Sequence, residues 1–368
     1  MKRLAILSTH PIQYNAPLFR LLHEDDGIEL HVFFSKTWEQ VKFDPDFQRD
    51  VVWDIPVSEG YPHTTFDASS KAGKTSLVKA IRDFEPDAIL IYGWNFPGHL
   101  ATMRAFHGSI SIWFRGDSHL LNPQPFWKKA LRRLSLNWVY LHVDIAFTVG
   151  KANEDYYLWS GIPPIKLIRA PHSVDNDFWT QNDGQRRTEA VAWRTKLGIP
   201  SDAPIIGFAG KLEPLKQVGP LLDAVMQTPS AHLVIAGSGP LESSLKEKAY
   251  GSNRIHFLGF INQSQMPVFY RLVDVLALVS YSETWGLCIN EALASGTPCV
   301  ISDRAGCAED LAPSEWAVTL DPFTKKDWVH TIKNQLQIKN RDQSWRGSFL
   351  KKHSHESFVD ALKMALTQ

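Results

Sequence analysis

A chain of 368 residues with 44% hydrophobic and 21% charged side chains has globular composition and length enough for two domains. Its 39 lysines and arginines balance 39 aspartates and glutamates, which argues against a general nucleic-acid binder and leaves any anionic partner to be met by local charge. Three cysteines, Cys288, Cys299 and Cys307, cannot all pair and lack metal-ligand spacing, so thiols in a reducing cytoplasm are expected, and no metal site. The opening MKRLAILSTHPIQ has too short an apolar run for a secretory leader, and no stretch approaches the roughly 18 apolar residues of a membrane span.

In chain order, short apolar runs predict strands at 4–7, 30–34, 88–92, 110–114, 145–149 and 166–169, separated by helical patterns at 16–23, 76–83, 98–106, 127–139 and 153–159. The chain then turns polar and charged between Asn176 and Asp202, and strand signals restart at 205–209, 233–236, 256–258, 275–279 and 298–301. Buried apolar runs alternating with helices predict parallel sheets and α/β architecture. The expected organisation is two doubly wound domains, 1–175 and 176–344. A C-terminal helix over about 345–368 carries Phe349, Phe358, Leu362 and Ala365 on one side.

Ligands of open parallel sheets bind beyond the carboxyl ends of the strands, so the loops that follow strands carry the chemistry. After 205–209 comes GKLEPLK, in which Gly210 permits a tight turn. Lys211 and Lys216 flank a proline turn that opens a helix, which is either an anion site or two solvated lysines. After 233–236, Gly237 and Gly239 of AGSGP bring backbone close to whatever lies above the sheet, or simply turn the chain. After 275–279 comes SETWGLCINEALASG, with a helix expected to begin near Trp285 or Gly286. Glu283 then lies in the loop and Glu291 more than a turn inside the helix. Each feature alone is commonplace. Together, at one sheet edge, lysines and helix N–H groups suit a diphosphate and carboxylates suit sugar hydroxyls, which is nucleotide-sugar chemistry.

The segments GKLEPLK, IAGSGPL, IHFLGFI and SETWGLCINEALASGTPCVIS, in this order and spacing, resemble the C-terminal domain of the retaining glycosyltransferases of family 4. PHSVDNDFW resembles that family's interdomain segment. HPIQYNAPLFRLL and FDPDFQRDVVWDIPVSEGY resemble bacterial members that build surface polysaccharides. The resemblance implies a GT-B fold, two Rossmann-like domains facing a cleft with the C-terminal helix crossing back to the first. It also implies metal-independent, retaining transfer of a hexosyl-type sugar from a UDP- or GDP-sugar to a glycan or lipid-linked acceptor, with no further cofactor. By match, Lys216 takes the phosphate-binding lysine position and Lys211 one that is often arginine. Glu291 takes the ribose position and Glu283 the transferred-sugar position. Trp285, Gly286 and Leu287 offer backbone N–H groups, and Phe260 and Ile261 fall where the base rests.

One departure concerns the loop Arg115-Gly116-Asp117-Ser118-His119, where the family places a histidine that aligns best with Arg115. Arginine cannot act as a base but can anchor phosphate or acceptor; Arg115 and Asp117 are carried as catalytic candidates. His10, Trp94, Asn95 and His119 are acceptor-side candidates. A nucleotide-sugar 2-epimerase and a non-catalytic sugar-nucleotide sensor remain as alternatives on the same fold.

Two further stretches call for a reading. SSKAGKTS mimics a phosphate loop, but the spacing needs glycine where Ala68 stands and no strong strand leads into it. FWKKALRRLSLNWVY, at about 100° per residue, puts Trp127, Ala130, Leu131, Leu134 and Trp138 on one face and Lys128, Lys129, Arg132 and Arg133 on the other. That helix either buries its apolar face in the domain or docks on an anionic membrane, placing the protein in the cytoplasm or on the membrane's inner face.

Overall fold

The computed structural model describes residues 1–38, 42–44 and 49–367. Residues 45–48 of the FDPDFQRDVVWDIPVSEGY stretch, residues 39–41 and residue 368 lie outside the described residues. In chain order the strands are β1 (Lys2–Ser8), β2 (Ile28–Phe34), β3 (Lys42–Asp44), β4 (Arg49–Val51), β5 (His63–Thr65), β6 (Ala88–Tyr92), β7 (Ser111–Arg115), β8 (Ile145–Thr148), β9 (Leu167–Arg169), β10 (Ile205–Ala209), β11 (His232–Ala236), β12 (Ile255–Gly259), β13 (Val275–Leu278), β14 (Cys299–Ser302) and β15 (Ala317–Leu320).

Among the described residues they form a seven-stranded sheet ordered β5-β2-β1-β6-β7-β8-β9, a six-stranded sheet ordered β12-β11-β10-β13-β14-β15, and the ribbon β3-β4. Every pairing in the two large sheets is parallel, and the ribbon is antiparallel. The central strands are apolar throughout because helices cover both faces: Leu4 to Leu7 in β1, Ile89 to Ile91 in β6 and Leu233 to Ile235 in β11 are fully buried. Each sheet has its own core, one around Leu7, Ile91, Phe114 and Tyr157, the other around Phe208, Leu221, Ile235 and Trp328. The two doubly wound α/β units expected from the sequence are therefore present.

The chain divides into residues 1–40, 56–175 and 353–368 in one unit, and 41–55 with 176–352 in the other. Several details differ from the sequence reading: β3, β4, β5 and β15 are not among the expected strands, and residues 41–55, expected in the first domain, belong to the second unit. The polar stretch after Asn176 folds as helices Asn176–Thr180 and Asp183–Lys196. The C-terminal pattern is two helices, Gln343–Lys352 and His355–Leu366, broken where Ser354 caps the second by accepting from Ser357 N at 3.2 Å. The second helix belongs to the first unit, where Ser173 Oγ meets His355 Nδ1 at 2.8 Å and Lys363 pairs with Asp25 at 2.8 Å. The phosphate-loop look-alike is a capped helix start. Helix Lys71–Phe84 begins at Ser70, whose side chain accepts from Gly73 N, and a Cβ on Gly73 would stand 1.7 Å from the Asp67 carbonyl.

Unit 1 also buries histidines. His99 is held between Ser35 Oγ and the Gly93 carbonyl, and burial lowers its pKa to about 4; burial does the same to His355, also to about 4. Unfolded histidines gain protons below about pH 6.5 that these two refuse until about pH 4, so stability is whole above that window and falls through it. At about 1.4 kcal/mol per pH unit the loss approaches 3 kcal/mol per histidine. Denaturant titrations of the whole chain should show a lower unfolding free energy at pH 5 than at pH 7; equal values would contradict neutral burial.

Candidate functional site

In unit 2 the loops after β10 and β11 are built on each other. Gly237 and Gly239 have φ +152 and +156, a region that side chains rarely tolerate. A Cβ on Gly237 would lie 1.9 Å from the Gly210 carbonyl oxygen, and one on Gly239 2.7 Å from Leu212 N. Gly210 N donates to Ala236 O at 3.0 Å and Leu212 N to Ser238 O at 2.9 Å. The glycines thus permit close contact between the two loops. Lys211, half-buried, is fixed between these bonded residues.

Lys216 ends the turn Pro214–Lys216, and Gln217 follows in a left-handed conformation at φ 55. Gln217 is buried and donates to Val279 O at 2.8 Å, while Tyr281 N donates to Leu215 O at 2.8 Å. These bonds draw the loop after β13 onto the turn, and Lys216 Nζ meets Glu283 Oε2 in a short ion pair. Their side chains are only 17% and 16% exposed. Burial pulls the Lys216 pKa down, the Glu283 carboxylate pushes it up, and the carboxylate wins, so the ammonium stays charged at neutral pH. Glu283 itself is strapped by Gly306 N, which donates to its carbonyl at 3.0 Å.

Gly286 turns the chain into helix Leu287–Ala294 at φ 99, and a Cβ there would strike Leu278 Cδ2 at 2.6 Å. The helix therefore starts one residue after the expected glycine, and the backbone of Leu287 opens it. The Trp285 ring is buried, donating to Asn290 Oδ1 at 2.8 Å, so any part it plays in binding falls to its backbone. Glu291, 3% exposed, accepts from Tyr270 Oη at 2.5 Å. Cys288 lies near both glutamates: burial first, then the Glu283 and Glu291 carboxylates, push its thiol pKa far up. Lys216 with the helix start suits an anion, and flanking carboxylates suit hydroxyl groups.

Phe260 and Ile261 follow β12, at the far edge of the same sheet. Sequence reasoning missed their neighbour: the excursion 41–55 brings Trp53 to 6.1 Å from the Phe260 ring. Asn262 Nδ2 donates to Val52 O at 2.6 Å, and Ser264 bonds Asp54. No local signal in the sequence announces a contact spanning some 200 residues.

In unit 1, His10, Trp94 with Asn95, and Asp117 with His119 follow β1, β6 and β7, which are adjacent, so they share the carboxyl edge of the sheet. His10 is exposed and its Nδ1 lies 2.9 Å from Thr9 Oγ1; Trp94 packs partly into the core, and Asn95 is exposed. His119 Nδ1 accepts from Leu121 N at 3.2 Å. Arg115 is placed differently from the expected phosphate or acceptor anchor. Its guanidinium is buried, donates to Ala170 O at 2.7 Å and Pro171 O at 3.4 Å, and lies 4.3 Å from the Phe358 ring centroid. It binds the strand end after β9 and the C-terminal helix, a structural task.

Residues 190–366 match the family model described as glycosyl transferases group 1. The D-inositol 3-phosphate glycosyltransferase of Mycolicibacterium smegmatis is 34% identical over 154 residues, 39% of this chain and 35% of that protein. The chain spans little more than a third of the length of such curated relatives. Sucrose-phosphate synthase from Thermosynechococcus elongatus aligns with a TM-score of 0.73 at 18% identity, covering 99% of this chain and 98% of that one. Anabaena HepE, solved in complex with UDP and glucose, aligns with a TM-score of 0.74 at 16% identity, covering 100% of both chains. These likenesses show the fold, that of GT-B glycosyltransferases with two Rossmann-like parallel-sheet units. Over residues 190–366, then, the chain is similar to the glycosyl transferases group 1.

Proposed function

We propose that the protein is a retaining hexosyltransferase of glycosyltransferase family 4. It moves a sugar from a UDP- or GDP-sugar to a hydroxyl of a glycan or lipid-linked acceptor in surface polysaccharide assembly, on the cytoplasmic side. The shielded Lys216–Glu283 pair beside the Gly286 helix start carries this reading. Lys216, with Lys211 and the Leu287 N–H, takes the diphosphate charge that a metal takes elsewhere. Glu283 addresses the transferred sugar and Glu291 the ribose. In the reaction the acceptor oxygen bonds to the anomeric carbon on the face that the diphosphate leaves. The C–O bond to phosphate breaks, and the acceptor proton passes to the departing phosphate oxygen. Asp117, His119, His10, Trp94 and Asn95 sit on the acceptor side.

A binding screen against uridine, guanosine and adenosine diphosphate sugars tests the donor class, and product analysis separates transfer from epimerisation. Glu291→Ala is expected to weaken nucleoside diphosphate binding about 10- to 100-fold in calorimetry, the worth of a hydrogen bond to a charged group. Tyr270→Phe, which removes only the buried partner, should weaken it far less. Unchanged affinity in Glu291→Ala would take Glu291 out of the site.

A further inference from the structure

Helix Phe126–Tyr140 is mounted with its apolar face outward. Phe126, Trp127, Leu131, Leu134 and Trp138 are 87%, 60%, 60%, 67% and 46% exposed, and Leu141 at its end is 68% exposed. The helix is anchored instead by Leu136, Val139 and Tyr140 and by Arg132, whose guanidinium donates to Tyr156 Oη at 3.2 Å and lies 5.4 Å from that ring. A soluble monomer rarely leaves so many large apolar side chains contiguous and wet.

The chemistry of what surrounds them selects the partner. The 15 residues of the helix include Lys128, Lys129, Arg132 and Arg133 and no acid. Lys128 lies 5.4 Å from the Trp127 ring and Arg104 of a neighbouring helix 4.6 Å from the Trp138 ring, so cations border the aromatic stripe at both ends. A protein groove that took the stripe would have to match an all-positive border with carboxylates around an apolar floor. An anionic bilayer offers both at once: acyl chains for the stripe, phosphates for the lysines and arginines, and headgroup depth for tryptophan. The helix is about 22 Å long and lies on a surface, and among the described residues no helix is long and apolar enough to cross a membrane.

We propose that helix Phe126–Tyr140 docks this protein on anionic phospholipid and thereby presents lipid-linked acceptors to the loop after β7. The segment from Gly116 to Pro125 runs without another helix or strand from β7 to this helix, and it holds Asp117 and His119. A bilayer touching Trp127 is therefore one loop away from the acceptor-side residues. The second half of the statement rests on the function proposed above; the docking does not.

Flotation with phosphatidylcholine vesicles, and with vesicles containing about 30% phosphatidylglycerol, tests it. The whole chain should bind the anionic vesicles about tenfold better, and the preference should shrink in high salt. Trp127→Ser, Leu131→Ser, Leu134→Ser and Trp138→Ser combined should lose vesicle binding about tenfold or more, while keeping the melting temperature and nucleoside diphosphate affinity. Lys128→Glu with Lys129→Glu and Arg133→Glu should abolish the anionic preference. Binding unchanged in the serine variant, or absent from the start, overturns the docking. So does a dimer in light scattering that the serine variant makes monomeric, with no vesicle binding. If vesicles bind but no nucleotide does, the function fails and the docking stands.

Discussion

Lys216→Ala is expected to lower kcat/KM for sugar transfer about a hundred- to a thousandfold, the usual cost of removing one preorganised charge that faces a developing anion. Two losses combine. In the proposed reaction the leaving diphosphate would lose an ammonium that burial has partly stripped of water, and Glu283 loses the cation it pairs with. Because the role is electrostatic, kcat should fall with kcat/KM, and Lys216→Arg should recover part of it. The raised pKa places the loss of this charge above pH 10.5, so the pair contributes stability through the neutral range and loses it only as pH rises past that point. Steady-state kinetics with an established donor decide the matter: unchanged constants would remove Lys216 from the reaction.

The second large effect is on folding. Gly237→Ala should destabilise unit 2 by about 3–5 kcal/mol, because the new methyl meets backbone, which cannot swing aside as a side-chain tip can. Its neighbour would be the Gly210 carbonyl at 1.9 Å, in a conformation at φ +152 that disfavours any Cβ. That corresponds to a melting temperature roughly 10 °C lower, together with loss of nucleotide binding as the β10 and β11 loops part. Gly184→Ala is the control. It lies in helix Asp183–Lys196 with nothing within 4 Å of the added methyl, and should be neutral or stabilising by up to about 1 kcal/mol. Matching melting temperatures for both variants would refute the packing account.

The two sheets were legible because parallel strands buried on both faces leave unbroken apolar runs, as in LVIA of β11 and LAIL of β1. β5 was not: His-Thr-Thr is a polar, exposed edge of three residues with no pattern to see. The break at Ser354 was hidden inside a helical pattern that both flanking helices share. Lys216, Glu283, Gly286 and Glu291 stood out through motif order, since each loop follows its strand at once. Arg115 was misread because its partners, the carbonyls of Ala170 and Pro171, arrive from 55 and 56 residues downstream. In Phe126–Tyr140 the period was plain, but periodicity names two faces without saying which one the body of the unit takes.

The contribution of residues 41–55 to the second unit, and of 353–368 to the first, constrains how such a protein can be recombined. A single crossover at the 175/176 boundary would yield a chimera whose β12 loop meets a foreign stretch in place of Val52, Trp53 and Asp54, and whose Arg115 meets a foreign final helix. Transplanting one half intact requires junctions near 40, 55, 175 and 352 together. Point substitution within loops avoids all four junctions.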